Sequence, residues 1–238
     1  MLDQLNLSNV LFLDIETVPQ TYQFSELNNS KQKLWEKKQR FLINENQTAE
    51  DLYQRAGIYS EFAKIICISV GFTIASGDKR QLRIKSFYGD DEKKLLNEFI
   101  ELLNTHFNGQ QHLLCAHNGK EFDFPFIARR LLINGLKLPK LLDIAGKKPW
   151  EINHLDTMEL WKFGDYKNFT SLELLAHIFD IPTPKDDIDG SQVAKVYYED
   201  KDLPRIVEYC QKDVITIVQL LLRYKGEPLI EESNVLYA

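Results

Sequence analysis

A chain of 238 residues that is 44% hydrophobic can bury roughly 70–75% of its unfolded surface without disulfides or a structural metal. No run of about 18 apolar residues is present, which excludes a membrane-spanning helix. With 35 Asp+Glu against 29 Lys+Arg, the net charge of −6 excludes a protein that holds nucleic acid by overall basicity, yet leaves room for a local basic patch and for carboxylates gathered around metal ions.

The elements follow in chain order. Val10 to Ile15 is a short run of strand formers that stops by Pro19, and Asp14 and Glu16, two apart, project to one side of it. Residues 20–30 read as loop, and 31–59 as a helical insertion of one or two helices in which Leu34, Phe41 and Leu42 are the candidate apolar contacts. Lys64–Thr73 and Leu82–Tyr88 read as an antiparallel hairpin turning at Ser76-Gly77-Asp78. A helix over Asp91–His106, a strand over His112–Ala116 and a helix over Phe124–Asn134, capped by Gly135, come next. The stretch Leu138–Pro149 is a basic loop, and Leu155–Trp161 is an ordered element of open type.

Thr170-Ser171-Leu172-Glu173 starts a helix that Pro182 and Pro184 stop; after the acidic turn 186–190 a short helix runs through Tyr198. The last helix, Leu203–Tyr224, has a stripe of Leu203, Ile206, Val207, Cys210, Val214, Ile217 and Leu221, with Tyr209 and Asp213 sharing a face at its border. Strands interleaved with helices give a mixed α/β sheet covered by helices. Cys67, Cys115 and Cys210 sit in apolar stretches without C-x-x-C spacing, and the N-terminus has no basic-then-apolar leader; the expectation is a reduced, cytoplasmic protein with no zinc site.

Three patterns carry chemistry: Asp14-Ile15-Glu16-Thr17, His117-Asn118-Gly119-Lys120-Glu121-Phe122-Asp123, and Tyr209-Cys210-Gln211-Lys212-Asp213. Each alone has a plain reading. A D-x-E pair can end a strand in solvent, Asp123 can be a helix N-cap, and Tyr209 and Asp213 can be surface neighbours. Together they supply four carboxylates and a phenol, a donor set suited to hard divalent cations and to hydrolysis of a phosphodiester by two of them.

The trio resembles the three motifs of the DEDD superfamily, the DnaQ-like 3'-5' exonucleases, in its tyrosine subclass, as in the proofreading domain of family B DNA polymerases. Asp14 and Glu16 match the first motif, Asp123 with Asn118 and Phe122 the second, Tyr209 and Asp213 the third, and the position a catalytic histidine would take in the sister subclass is Glu208. The likeness runs from Val10 to about Leu222 and looks closest to small stand-alone bacterial proteins.

It implies an RNase H-like mixed five-stranded sheet flanked by helices, making one exonuclease domain over 1–238. It also implies two Mg2+ or Mn2+ ions and release of nucleoside monophosphates from the 3' end of single-stranded or frayed DNA. Asp14 would bridge both ions, Glu16 and Asp213 would hold the one carrying the attacking water, and Asp123 the other. Tyr209, a poor base at a pKa near 10, would orient the water.

Around these, Leu13 would wedge the last base and Thr17 would meet the 3' end through its backbone. Asn118 would bond sugar or phosphate, His117 would touch substrate or simply pack, and Phe122 would meet a base or fill core. Asp156-Thr157 reads as support for the sheet edge. Lys120, Arg129, Arg130, Lys147, Lys148, Lys162, Lys167 and Lys185 are the basic groups within reach of phosphates; the loop Lys137–Lys148, with Lys140 and the following Trp150, is the best of them. Two alternatives stay open: an RNase D-like exoribonuclease, and a non-catalytic nucleic-acid-binding module. A DNA polymerase or repair protein would be a partner in trans; oligomeric state is left open.

Overall fold

The computed structural model describes residues 2–43, 46–76, 79–165, 169–182 and 188–238. Its strands are β1 (Val10–Pro19), β2 (Ala63–Ser76), β3 (Lys79–Tyr88), β4 (Leu113–Ala116), β5 (Leu155–Asp156) and β6 (Val235–Tyr237). The helices are α1 (Asn29–Gln39), α2 (Glu92–His106), α3 (Asp123–Ile133), α4 (Thr157–Lys162), α5 (Leu172–Ile178), α6 (Val193–Lys195) and α7 (Leu203–Lys225). No described helix is long and apolar enough to cross a membrane.

Among the described residues the strands form one sheet in the order β5-β4-β1-β2-β3-β6. β1 runs antiparallel to β2 and β2 to β3, whereas β4 is parallel to β1 and β5 to β4. The sheet is therefore six-stranded, not five-stranded as expected. The extra strand pairs Val235, Leu236 and Tyr237 with Leu82, Arg83 and Ile84 in parallel. Three residues show no usable period of two, so only the open edge of β3 recruits them.

β1 divides the core. Leu11, Leu13 and Ile15 face α2 and α3, meeting Leu96, Phe99, Phe124 and Ile127, while Val10 and Phe12 face α7, meeting Val214, Ile217 and Leu221. α7 lies close to the sheet because Gly71 carries no side chain: a Cβ there would stand 2.8 Å from Val214 Cγ1. The helix starts at the Asp202 cap, whose side chain accepts from the Arg205 N–H, and stops at Gly226 with φ of 68°. Gly135, also at positive φ, ends α3 as expected.

Several expectations change. In 31–59 the helices are α1 and a 3-10 turn over Asp51–Ile58, and the buried contacts are Trp35, Leu52, Tyr53 and Ala56. Leu34, Phe41 and Leu42 point outward instead, Phe41 being 82% exposed. The rings of Tyr53, Tyr59 and Phe62 meet Trp35 edge-on, so one large aromatic residue organises this segment. Leu155–Trp161 resolves into β5 followed by α4. The turn at Gly77-Asp78, the stop at Pro184, the acidic pair Asp186-Asp187 and the cations Lys167 and Lys185 lie outside the described residues.

Arg130 is not available to phosphates. It is buried and forked onto Glu92, with Nε to Oε1 at 2.8 Å and Nη2 to Oε2 at 2.5 Å, while Nη1 donates to the Ser60 carbonyl. Glu92 also accepts from the Ile65 N–H and the Asn134 amide. A bidentate pair with its remaining donors and acceptors satisfied ties α2, α3 and β2 together.

Candidate active site

The even-numbered face of β1 that packs on α7 continues past Phe12 to Asp14 and Glu16, so the first motif meets the last helix at the C-terminal end of the strand. The register with β2 slips between Glu16 and Thr17, a bulge that ends regular pairing beside the carboxylates. On α7 the Cys210 thiol donates to the Asp14 backbone carbonyl and to Asp14 Oδ2, each at 3.4 Å. Ligand atoms of Asp14, Glu16 and Cys210 all lie within 4.8 Å of one another. Cys210, read from sequence only as core, is thus part of the site. Its spacing of three from Asp213 on a helix was the available signal.

Asp123 is the first residue of α3 rather than its N-cap, a position taken by Phe122. Its carboxylate accepts from its own N–H and from the Ile15 N–H of β1, which fixes the second motif against the first. Burial, then the charges of Asp156 and Asp213, still push its pKa up to about 8. Burial likewise holds Asp14 and Glu16 well above the usual carboxylate range; Asp213 adds to each, Glu16 adds to Asp14, and Asp123 adds to both. The Tyr209 phenol is raised by burial and by Asp213, Glu16 and Asp14, and donates to Asp213. It therefore stays protonated and serves as a hydrogen-bond donor, not a base.

The three motifs converge electrostatically, since after burial the main charges raising Asp14 and Glu16 include carboxylates of the other two motifs, Asp213 and Asp123. Such a set fits hard divalent cations, which take oxygen ligands and remove the mutual repulsion. Burial and neighbouring acids keep the Cys210 thiol protonated, so it orients Asp14 as a donor and the oxygen donors are left to the carboxylates.

The turn before Asp123 is held by Asp156. Its Oδ1 accepts from the N–H groups of Asn118, Met158 and Glu159, and its Oδ2 from that of Lys120. One buried carboxylate thus closes the turn, caps α4 and anchors the second motif to β5, more than the sheet-edge support read from sequence. Asn118 is left-handed at φ of 62°, and a Cβ on Gly119 would collide with Ala116 Cβ at 2.4 Å. Asp156→Ala is expected to cost about 3 kcal/mol, since four N–H groups, that of Met158 buried and the others part-buried, lose a charged acceptor; urea unfolding checks this, and an unchanged midpoint would refute the clamp.

The predicted contact residues separate. His117 is a brace: its Nε2 meets the Thr170 carbonyl at 2.9 Å and its Nδ1 the Thr157 hydroxyl at 2.8 Å, and burial lowers its pKa. Both ring nitrogens are engaged, which leaves none for substrate. Leu13 is fully buried among core side chains and has no surface with which to wedge a base. The Thr17 hydroxyl donates to the Gly57 carbonyl at 2.8 Å, leaving only its backbone for the role expected. Phe122 is half-buried against Phe126. The Asn118 side-chain oxygen is buried without a hydrogen-bond partner among the described residues. Lys148 is exposed and lies over the ring of Trp150, and Lys120 pairs with Glu159 at 2.6 Å.

A family model described as a predicted 3'-5' exonuclease related to the exonuclease domain of PolB matches residues 58–227, and the chain belongs to that family. The match begins after Asp14 and Glu16, so the geometry of β1 is an independent observation. A DNA polymerase of Pyrococcus glycovorans is 21% identical over 166 residues, covering 60% of this chain and 21% of the polymerase. The chain spans about a fifth of the length of that curated relative.

Proposed function

We propose that this family member removes nucleotides from the 3' end of single-stranded or frayed DNA as nucleoside monophosphates, with two Mg2+ or Mn2+ ions held by Asp14, Glu16, Asp123 and Asp213. The observation that carries this reading is the gathering at one end of β1 of Asp14, Glu16 and the Cys210 thiol within 4.8 Å, with the carboxylates of all three motifs raising one another and the protonated Tyr209 phenol donating to Asp213. When bound, the ions supply Lewis-acid stabilisation of the phosphoryl oxygens and lower the pKa of water.

The protein's own groups hold and orient. Asp14, steadied by the Cys210 thiol, would hold the ions together with its neighbour Glu16. Asp213 and Asp123 would complete the oxygen donor set from the third and second motifs, supplying charge that the ions neutralise. Tyr209, donating to Asp213, positions the water through its oxygen. The half-buried Asn118 side chain and Phe122 ring would receive the terminal nucleotide, the buried Asn118 oxygen needing to turn outward to do so; the exposed Lys148 and Trp150 would meet the strand further out. We read β1 through β6 as one exonuclease domain with 31–59 as a helical insertion.

The deciding experiment uses 5'-labelled single-stranded DNA and its RNA counterpart with Mg2+, Mn2+ or EDTA, resolved at single-nucleotide spacing. A metal-dependent ladder shortening from the 3' end of DNA is expected. A ladder on RNA alone would overturn the sugar, and none on either would overturn the nuclease reading. Tyr209→Phe should slow the ladder about 10- to 100-fold, the worth of one hydrogen bond to a charged group. An unchanged single-turnover rate would remove Tyr209 from the mechanism.

A further inference from the structure

The carboxylate site cannot by itself attract a polyanion, and the chain as a whole carries −6. Binding a strand therefore needs a cationic surface elsewhere. Residues 31–41 supply one: Lys31, Lys33, Lys37, Lys38 and Arg40 stand against a single acid, Glu36. Leu34, Lys37, Lys38, Arg40, Phe41 and Phe62 line one groove of about 540 Å³ together with one acid, Glu61, which pairs with Lys38 at 3.7 Å and leaves Lys37 and Arg40 as excess charge. Phe41 is exposed with the Arg40 guanidinium 4.4 Å from its ring centre. An exposed aromatic face beside a guanidinium plane and ammonium groups is what base stacking and phosphate contact together require.

This groove is rigidly joined to the first motif. Trp35, on the opposite face of α1, is fully buried and donates to the Ala49 carbonyl at 2.7 Å. The following 3-10 turn Asp51–Ile58 is fastened to β1 through Thr17 and Gly57, one residue beyond Glu16. α1 also leaves and rejoins the sheet at the Pro19–Ala63 pair, the same end of β1 that carries the carboxylates.

We propose that the outer face of α1, with Phe41, is a platform for single-stranded nucleic acid that grips the strand upstream of the 3' end being cleaved. The platform rests on the exonuclease reading for its role and on charge and ring geometry for its ligand. Its test is equilibrium binding in EDTA of a labelled strand of about 20 nucleotides, across salt concentration, for the whole chain and for two variants. These are K37Q/K38Q/R40Q and Phe41→Ser, all at exposed positions; Lys38 also pairs with Glu61 and lies over the Tyr59 ring, so thermal melts of both variants accompany the binding curves.

The triple variant is expected to bind about 10-fold more weakly, with a log–log salt slope reduced by about 2. Phe41→Ser is expected to lose about 5- to 10-fold with its slope kept, as a stacking contact does. Affinity and slope unchanged in both would overturn the platform and turn the same apolar, basic face into a protein-docking surface. The nuclease reading fails separately: variant-sensitive strand binding without any metal-dependent ladder would remove that reading and leave the platform standing.

Discussion

Asp14→Asn is expected to reduce 3'-nucleotide release by at least about 1,000-fold while the metal-free protein becomes more stable. The two effects share one cause. Asp14 is pressed by burial and by Asp213, Glu16 and Asp123, so neutralising it relieves repulsion in the metal-free protein and, on the proposed reading, removes a carboxylate that would hold the ions. Losing a central metal ligand forfeits several kcal/mol of transition-state stabilisation, which is a thousandfold or more in rate. Asn keeps an oxygen for the Cys210 thiol, which now donates to Asp14 Oδ2 at 3.4 Å, so the local packing is preserved. Single-turnover rates together with thermal melts in EDTA check both halves. A variant as active as the parent would remove Asp14 from the chemistry, and one that melts lower in EDTA would contradict the repulsion.

The second large effect is the dependence of metal stabilisation on pH. Asp123 titrates at about 8 in the folded protein, and Asp14 and Glu16 are also raised; the same groups in an unfolded chain titrate near 4. Between those values the folded state holds more protons than the unfolded one, so the cluster's contribution is fully present below about pH 4 and is lost as pH rises toward 8. On the proposed reading, divalent ions would replace those protons.

The rise in Tm produced by saturating Mg2+ is therefore expected to be small at pH 5 and several degrees at pH 8, where binding at about 100 times Kd adds about 2.7 kcal/mol. His117 and His154 are lowered by burial and act in the opposite direction below about pH 6.5. For that reason the comparison is made between the parent and Asp123→Asn, which shares both histidines. A metal effect that is flat with pH, or equal in the two proteins, would count against carboxylates charged by displacement of protons.

The segments that sequence periodicity describes well are those whose partners are local. α2 and α7 have long apolar stripes and side-chain caps at Asp91 and Asp202, and the β2–β3 ladder follows from a run, Ile65–Val70, apolar but for Ser69 and buried on both faces, beside the alternating Leu82–Phe87. The candidate site was legible as residue types at motif spacing, because a strand forces Asp14 and Glu16 to one side and a helix forces Tyr209 and Asp213 onto one face. Phe41 misled for a related reason. In a segment with few apolar residues it looked like core, but the volume at the base of α1 was already filled by Trp35 and the rings around it.

By itself, then, the sequence determined the kinds of chemical group, their order, and the local elements that carry them, since propensity and side-chain periodicity act over a few residues. Tertiary structure alone decided which of those groups meet. It placed the Cys210 thiol on Asp14, made Asp156 the clamp of a turn 36 to 38 residues away, consumed both nitrogens of His117 and the fork of Arg130, and added β6 to an open sheet edge. Those outcomes depend on hydrogen bonds and burial between distant segments. Whether a polar side chain is spent on the fold or left for a ligand is settled only when its neighbours are in place.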